Sequence, residues 1–228
     1  MDNTEDTIEG GDSMSWEGLQ WTLNLKDFGY LTRMLMFDDM EGAFHWDDIS
    51  YNSYEWTVGI RDDDSFVANK CLYLVPADLS DRFVSAARHT QMQAANRVAL
   101  GLAFKFFGDV KLQFQLMIYV DGVLATPGLT YDVGSGLWSY LNSSGGETSI
   151  GTQTLEANSW HIMLFIADLS EQVYVRAYSD EKTLDILNSP IPVTTTTEGN
   201  GLRTVVRVDQ VGETHGWLRV DNVLVLRD

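Results

Sequence analysis

The chain has 228 residues, of which 44% are hydrophobic and 11% aromatic, enough to bury a sizeable core and too apolar for a disordered chain. Its 22 Asp and 11 Glu face only 15 Lys and Arg, for a net charge of −18. Such a surface repels phosphate backbones and anionic lipid, so nucleic acid is not an expected partner.

No apolar run approaches the roughly 18 residues of a membrane helix, so no membrane insertion is expected. Asp-rich, Lys-poor composition suits solubility, divalent cations or a salty environment. The single cysteine, Cys71, sits in the apolar run KCLYLV and reads as a buried thiol.

Residues 1–13 are acidic and lack hydrophobic period. They carry neither the positive region nor the apolar run of a secretory signal, so export by that route is not expected. From residue 14 the character changes. Trp16, Leu19, Trp21, Leu23 and Leu25 are apolar, the last four alternating with polar neighbours. They need cover, either from the chain's own sandwich or from a partner. Residues 1–36 are read as an acidic tail and apolar arm, and 37–228 as one domain.

FDDMEGAFHWDD, residues 37–48, gathers five carboxylates around Phe37, Phe44 and Trp46. Tyr51, Tyr54 and Trp56 follow, then a charged turn at Arg61–Asp64. Lys70–Val75 reads as a short buried strand. Residues 77–97 admit a helix, but Phe83–Ala87 favours strand, turn, strand, with the turn near Gln93–Asn96. Val98–Phe107 is apolar throughout. Leu112, Phe114, Leu116, Ile118 and Val120 alternate with Gln113, Gln115, Met117 and Tyr119, the cleanest strand signal in the chain. Asp121-Gly122 then turns a hairpin into Val123–Ala125.

Tyr131–Tyr140 and Glu147–Leu155 flank a Ser/Gly loop at Asn142–Gly146. NSWHIMLFIADLSEQVYVRAY, residues 158–178, reads as strand, turn, strand, and is expected to form the middle of a sheet. Arg203–Val211 and Trp217–Arg227 are the last two strands. About a dozen short strands, no clear helix and no fixed repeat predict an all-β antiparallel sandwich, most plainly a jelly roll, with an extended N-terminal arm.

Three segments in this order, FDDMEGAFHW, NSWHIMLFIADLSEQVYVRAY and WLRVDNVLVLRD, resemble the concanavalin A-like lectin/glucanase superfamily, in its laminin-G-like and carbohydrate-binding-module-like jelly rolls. The resemblance implies a sandwich over residues 37–228. Such domains occur in lectins, glycanases, adhesins and tailed-virus structural proteins, so it does not fix the role. It also implies a structural calcium between the opening segment and the last strand, with Glu41 and Asp221 first and Asp39 next as ligands.

Retaining glucanases of the superfamily use E-x-D-x-x-E on one strand, and that spacing is missing here. There is no G-x-S-x-G elbow, and His45, His89, His161 and His215 lack zinc-binding spacing. A non-catalytic protein is therefore expected. Sugar binding needs aromatic faces beside hydrogen-bonding groups. Trp138, Tyr140 and Asn142 fit that description, as do Tyr51, Tyr54 and Trp56.

The leading expectation is a non-catalytic structural or attachment protein at a tailed-virus virion surface, of capsid-decoration, turret or fibre type. It would meet other virion subunits or its own copies through the arm, and cell-surface glycan through the domain. The alternative is an extracellular carbohydrate-binding module or lectin. A glycan-degrading enzyme ranks third.

Overall fold

Alternating apolar residues become paired strands throughout the computed structural model, which describes residues 33–46, 48–52, 55–66, 69–77, 79–212 and 215–228. The chain forms two antiparallel sheets packed as a sandwich, with no helix among the described residues.

In the first sheet the order is β14 (Lys182–Leu184), β13 (Val173–Ser179), β12 (His161–Asp168), β6 (Arg97–Phe107), β17 (Trp217–Arg227), β4 (Cys71–Val75) and β3 (Thr57–Arg61). β1 (Arg33–Asp38) pairs with the second half of β17, on the side whose first half pairs with β4. The second sheet runs β11 (Glu147–Thr152), β10 (Leu137–Leu141), β9 (Gly128–Asp132), β7 (Val110–Val120), β16 (Gly201–Gln210), β5 (Arg82–Thr90) and β2 (Asp48–Tyr51). β8 (Val123–Ala125) extends it from β7 and pairs with β15 (Val193–Thr195).

Each sheet buries one face. On β7, Leu112, Phe114, Leu116 and Ile118 point inward and the intervening residues point out. Phe104 anchors the middle, packing on Phe114 at 5.0 Å and edge-on to Trp138 at 6.3 Å between ring centres. Within the core a tyrosine hydroxyl also ties the sheets together. The buried Tyr174 hydroxyl accepts the Gly128 N–H at 2.8 Å and faces the Gly128 and Leu141 carbonyls at 3.0 Å each.

Residues 79–97 hold β5 and a loop at residues 91–96 leading into β6, so the strand–turn–strand reading holds there. The hairpin of β12 and β13 also forms, but it does not lie in the middle. β6 and β17 hold the centre of the first sheet, and β7 and β16 that of the second. A long apolar run marks a buried strand, but burial does not say which neighbours it pairs with. The boundary expected at residue 36 falls inside a strand, because Arg33, Met34 and Met36 already pair with β17. Trp16, Leu19, Trp21, Leu23 and Leu25 lie outside the described residues.

Candidate binding face

The two outer faces differ in chemistry. On the second sheet, cross-strand register lines up polar side chains from distant parts of the sequence. Gln113 stands between Thr130 and Arg207, and Arg207 stands opposite Ser85. One row along, Gln115 lies between Gly128 and Val205, which faces Ala87. A third row joins Met117, Arg203 and His89. Ser85, Ala87, Gly128, Thr130 and Ser139 are buried although they point away from the core, while Gln113, Gln115, Arg203 and Arg207 are half-buried. Long polar side chains thus line a polar trough across the sheet and largely cover its floor of small residues.

The trough's charges are balanced locally. Asp48 receives Arg203, and its Oδ2 lies 3.1 Å from His89 Nε2. The Arg207 Nε donates to Asp209 at 2.9 Å, and its guanidinium stacks 3.9 Å above the Phe83 ring. Lys111 pairs with Glu147 at 2.7 Å, and the Gln113 amide donates to Gln115 at 3.0 Å. At one end a pocket of about 300 Å³ is lined by His89, Tyr119, Glu198, Asn200 and Arg203. Burial, with the Glu198 carboxylate nearby, raises the Tyr119 phenol above its ordinary value. It therefore stays protonated at neutral pH, a hydrogen-bond donor and not a base.

The expected sugar-binding residues separate. Trp138 and Tyr140 point into the core, Trp138 fully buried against Tyr131 at 4.8 Å between ring centres. They offer a sugar no ring face. LWSYL is apolar on both sides of its strand, so alternation could not show which side faces water. Asn142 closes its own turn: its Oδ1 accepts the Ser144 and Gly146 N–H groups at 3.0 and 3.2 Å. Tyr51 and Trp56 do meet, stacked at 4.5 Å. Tyr51 is 46% exposed, and Trp56 lines a shallow pocket of about 290 Å³ with Glu55, Ala77 and His215. Because β2 and β3 lie at the edges of opposite sheets, the stack closes that side of the sandwich. Tyr54 lies outside the described residues.

The acidic opening segment is mostly engaged in structure. Asp38 accepts the Trp46 indole N–H at 2.9 Å and pairs with Arg88 between the sheets. Asp39 Oδ1 accepts the Glu41 N–H at 3.2 Å. Glu41 Oε1 accepts the Asn69 and Lys70 N–H groups at 2.7 Å each, and the buried Asp221 accepts the Phe66 N–H at 2.9 Å. The opening segment and the last strand thus hold the backbone at Phe66, Asn69 and Lys70. No group of three or more His, Cys, Asp and Glu among the described residues is placed to hold a metal ion. Asp39, Glu41 and Asp221 are thus not gathered as one such group.

Sequence reading missed the trough. Its signal was present in the outward positions of two strands: Gln113, Gln115 and Tyr119 on one, and Arg203, Arg207 and Asp209 on the other. His161, read as a sheet residue, is buried on β12, with Nδ1 2.9 Å from Asp180 and Nε2 2.9 Å from the Glu156 carbonyl.

No protein-family model and no curated protein matches the chain. Solved structures do. A carbohydrate esterase from the Shiga toxin-encoding bacteriophage phi24B superposes with TM-score 0.55 at 15% identity, covering 86% of this chain and 99% of that one. An endo-β-1,4-glucuronan lyase from the fungus Trichoderma reesei gives 0.54 at 14%, covering 86% and 96%. The carbohydrate recognition domain of Emp46p gives 0.50 at 8%, covering 84% and 95%. At these identities the likeness is one of fold alone, a jelly-roll sandwich.

Proposed function

We propose that this chain binds carbohydrate across the outer face of its second sheet and does not turn it over. The carrying observation is the trough itself. Amides, guanidinium groups and a protonated phenol stand over a floor of small residues, which is what a polyhydroxyl ligand needs for a dense set of hydrogen bonds. That similar structures include a glucuronan lyase, a carbohydrate esterase and a carbohydrate recognition domain supports the ligand class. Against turnover, Asp48 and Asp209 are each held by an arginine, and burial keeps the Tyr119 phenol protonated.

The virion role draws support only from the bacteriophage protein among these structures. The carbohydrate-binding alternative therefore takes its place. Calcium at Glu41, Asp221 and Asp39 stays a proposal, as a clamp on the backbone at Phe66, Asn69 and Lys70.

The test is a glycan array followed by calorimetry on the best ligand. Gln115→Ala and Arg203→Ala should each weaken binding about tenfold or more, the loss of one or two hydrogen bonds to a buried or charged partner. Trp56→Ala should leave it unchanged. Binding lost with Trp56→Ala and kept in both trough variants would move the site to the Tyr51–Trp56 corner. Release of reducing ends, acetate or unsaturated sugar by the purified chain would overturn the non-catalytic reading.

A further inference from the structure

The trough has no cation to spare. Among the described residues its lysine and arginines are Lys111 on β7 and Arg203 and Arg207 on β16, and each already faces a carboxylate. Lys111 Nζ lies 2.7 Å from Glu147 on the edge strand β11. Arg203 pairs with Asp48 on β2. Arg207 spans both oxygens of Asp209, its Nε donating at 2.9 and 3.1 Å. His89 turns its Nε2 to Asp48 as well, at 3.1 Å. In the pocket at the trough's end, Glu198 adds a carboxylate that has no ion pair among the described residues. The face therefore offers no free positive charge, within a molecule of net charge −18.

Pairing decides what these donors can do. A uronate carboxylate or a sulfate ester is bound by a guanidinium or ammonium that is free to turn to it. Here the ligand would have to displace Asp48, Asp209 or Glu147, forming one ion pair by breaking another. Asp48 and Asp209 are half-buried, so each would be left as a carboxylate without its partner, which is the costly outcome. A sugar hydroxyl asks for less. A guanidinium has five N–H donors, and one held by a carboxylate keeps others for an uncharged oxygen. The carboxylates in turn accept hydroxyl protons.

We propose that the trough takes uncharged glycans and rejects uronates and sulfated sugars, and that Asp48, Asp209 and Glu147 set this selectivity by occupying its cations. The inference rests on the sugar-binding reading and narrows its ligand class. The three carboxylates act in two ways. They neutralise Arg203, Arg207 and Lys111, and they place negative charge where an anionic ligand would have to approach. They also hold the long basic side chains in fixed positions, so that the remaining N–H groups meet a hydroxyl without first being ordered.

The test runs the full chain through native gels cast with matched polysaccharides: hydroxyethylcellulose against carboxymethylcellulose, galactan against polygalacturonate, mannan against polymannuronate. In any pair that retards the protein, the uncharged member should do so at a concentration at least about tenfold lower, and added sodium chloride should leave that retardation unchanged. Asp48→Asn, Asp209→Asn and Glu147→Gln each free one cation. Variants that keep the parent's melting transition should gain retardation by the charged polymers, and high salt should remove the gain. Glu147 is exposed on an edge strand, so its variant is the one least able to disturb folding. Retardation of the unsubstituted chain by a charged polymer at or below the concentration of its uncharged partner would overturn the proposal. So would the absence of any gain in the folded variants. If no polymer retards the unsubstituted chain, it is the sugar-binding reading that fails, and the variants still decide whether the paired carboxylates are what keep anions out.

Discussion

Tyr174→Phe removes one oxygen atom from the join between the sheets. That oxygen accepts the buried Gly128 N–H at 2.8 Å and faces the Gly128 and Leu141 carbonyls at 3.0 Å. The hydroxyl has one proton, so it donates to one of the two carbonyls at a time. Burial pushes this phenol well above its ordinary value, so at any ordinary pH it is the neutral form that serves. Phenylalanine keeps the ring in place against Phe165 and Tyr140 but leaves the Gly128 donor buried without its acceptor. An orphaned buried polar group costs about 1–3 kcal/mol. The strand cannot easily adjust, because Gly128 already lies tight: a Cβ there would meet the Phe114 carbonyl at 2.9 Å. We therefore expect a loss of about 2 kcal/mol. For a chain of this length that is a fall of about 4–8 °C in melting temperature. Urea titration should show a lower midpoint with an unchanged slope. A loss below about 0.5 kcal/mol would refute the reasoning. It would mean that β9 shifts or that water fills the gap.

Two further outcomes are expected. Burial alone would lower the pKa of His161, but its bonds to Asp180 and Glu156 outweigh that and raise it, as both ring nitrogens face acceptors. Its contribution to stability is therefore full below the unfolded value near 6.5 and is lost as pH rises through the raised folded value. Melting curves from pH 5 to 9 should show this decline, and His161→Gln should flatten it; an unaltered profile in the variant would rule the histidine out as its source. If calcium joins the carboxylates that hold Phe66, Asn69 and Lys70, a hundredfold excess over its dissociation constant adds about 2.7 kcal/mol. Chelator should then lower the melting temperature, and Glu41→Gln should abolish the response; indifference of the unsubstituted protein to chelator and calcium removes the ion.

Local chemistry made much of the sandwich legible. Alternation at Leu112–Val120 named a strand and its inward face, and Asp121-Gly122, with φ of 51° and 77°, turned it back as the residue types require. What failed was nonlocal. The order of strands depends on which apolar runs meet, and β6 meets β17 from more than a hundred residues away. The trough was hidden for the same reason. Gln113, His89 and Arg203 look ordinary on their own strands and become a set only once β7, β16 and β5 lie side by side in register. Trp138 misled because an aromatic beside a polar loop looks like a platform, whereas its parity with Tyr131 and Leu112 turns it inward.

The placement of β17 bears on how the chain is made as well as on how it stands. β17 pairs with β6 on one side and with β4 and β1 on the other, yet it follows all of them in sequence. As synthesis proceeds, one edge of β6 waits while roughly 110 further residues emerge. At about 5–20 residues per second that wait lasts roughly 5–20 s. During it the apolar strands Arg97–Phe107 and Cys71–Val75 have unpaired backbone on the sides that β17 will fill. Open apolar edges are where chains pair with the wrong neighbour. In a crowded polysome the nearest wrong neighbour is another nascent copy of this chain. Slow translation of residues 108–216 should therefore lower the yield of folded protein, while β17 supplied early by circular permutation should raise it.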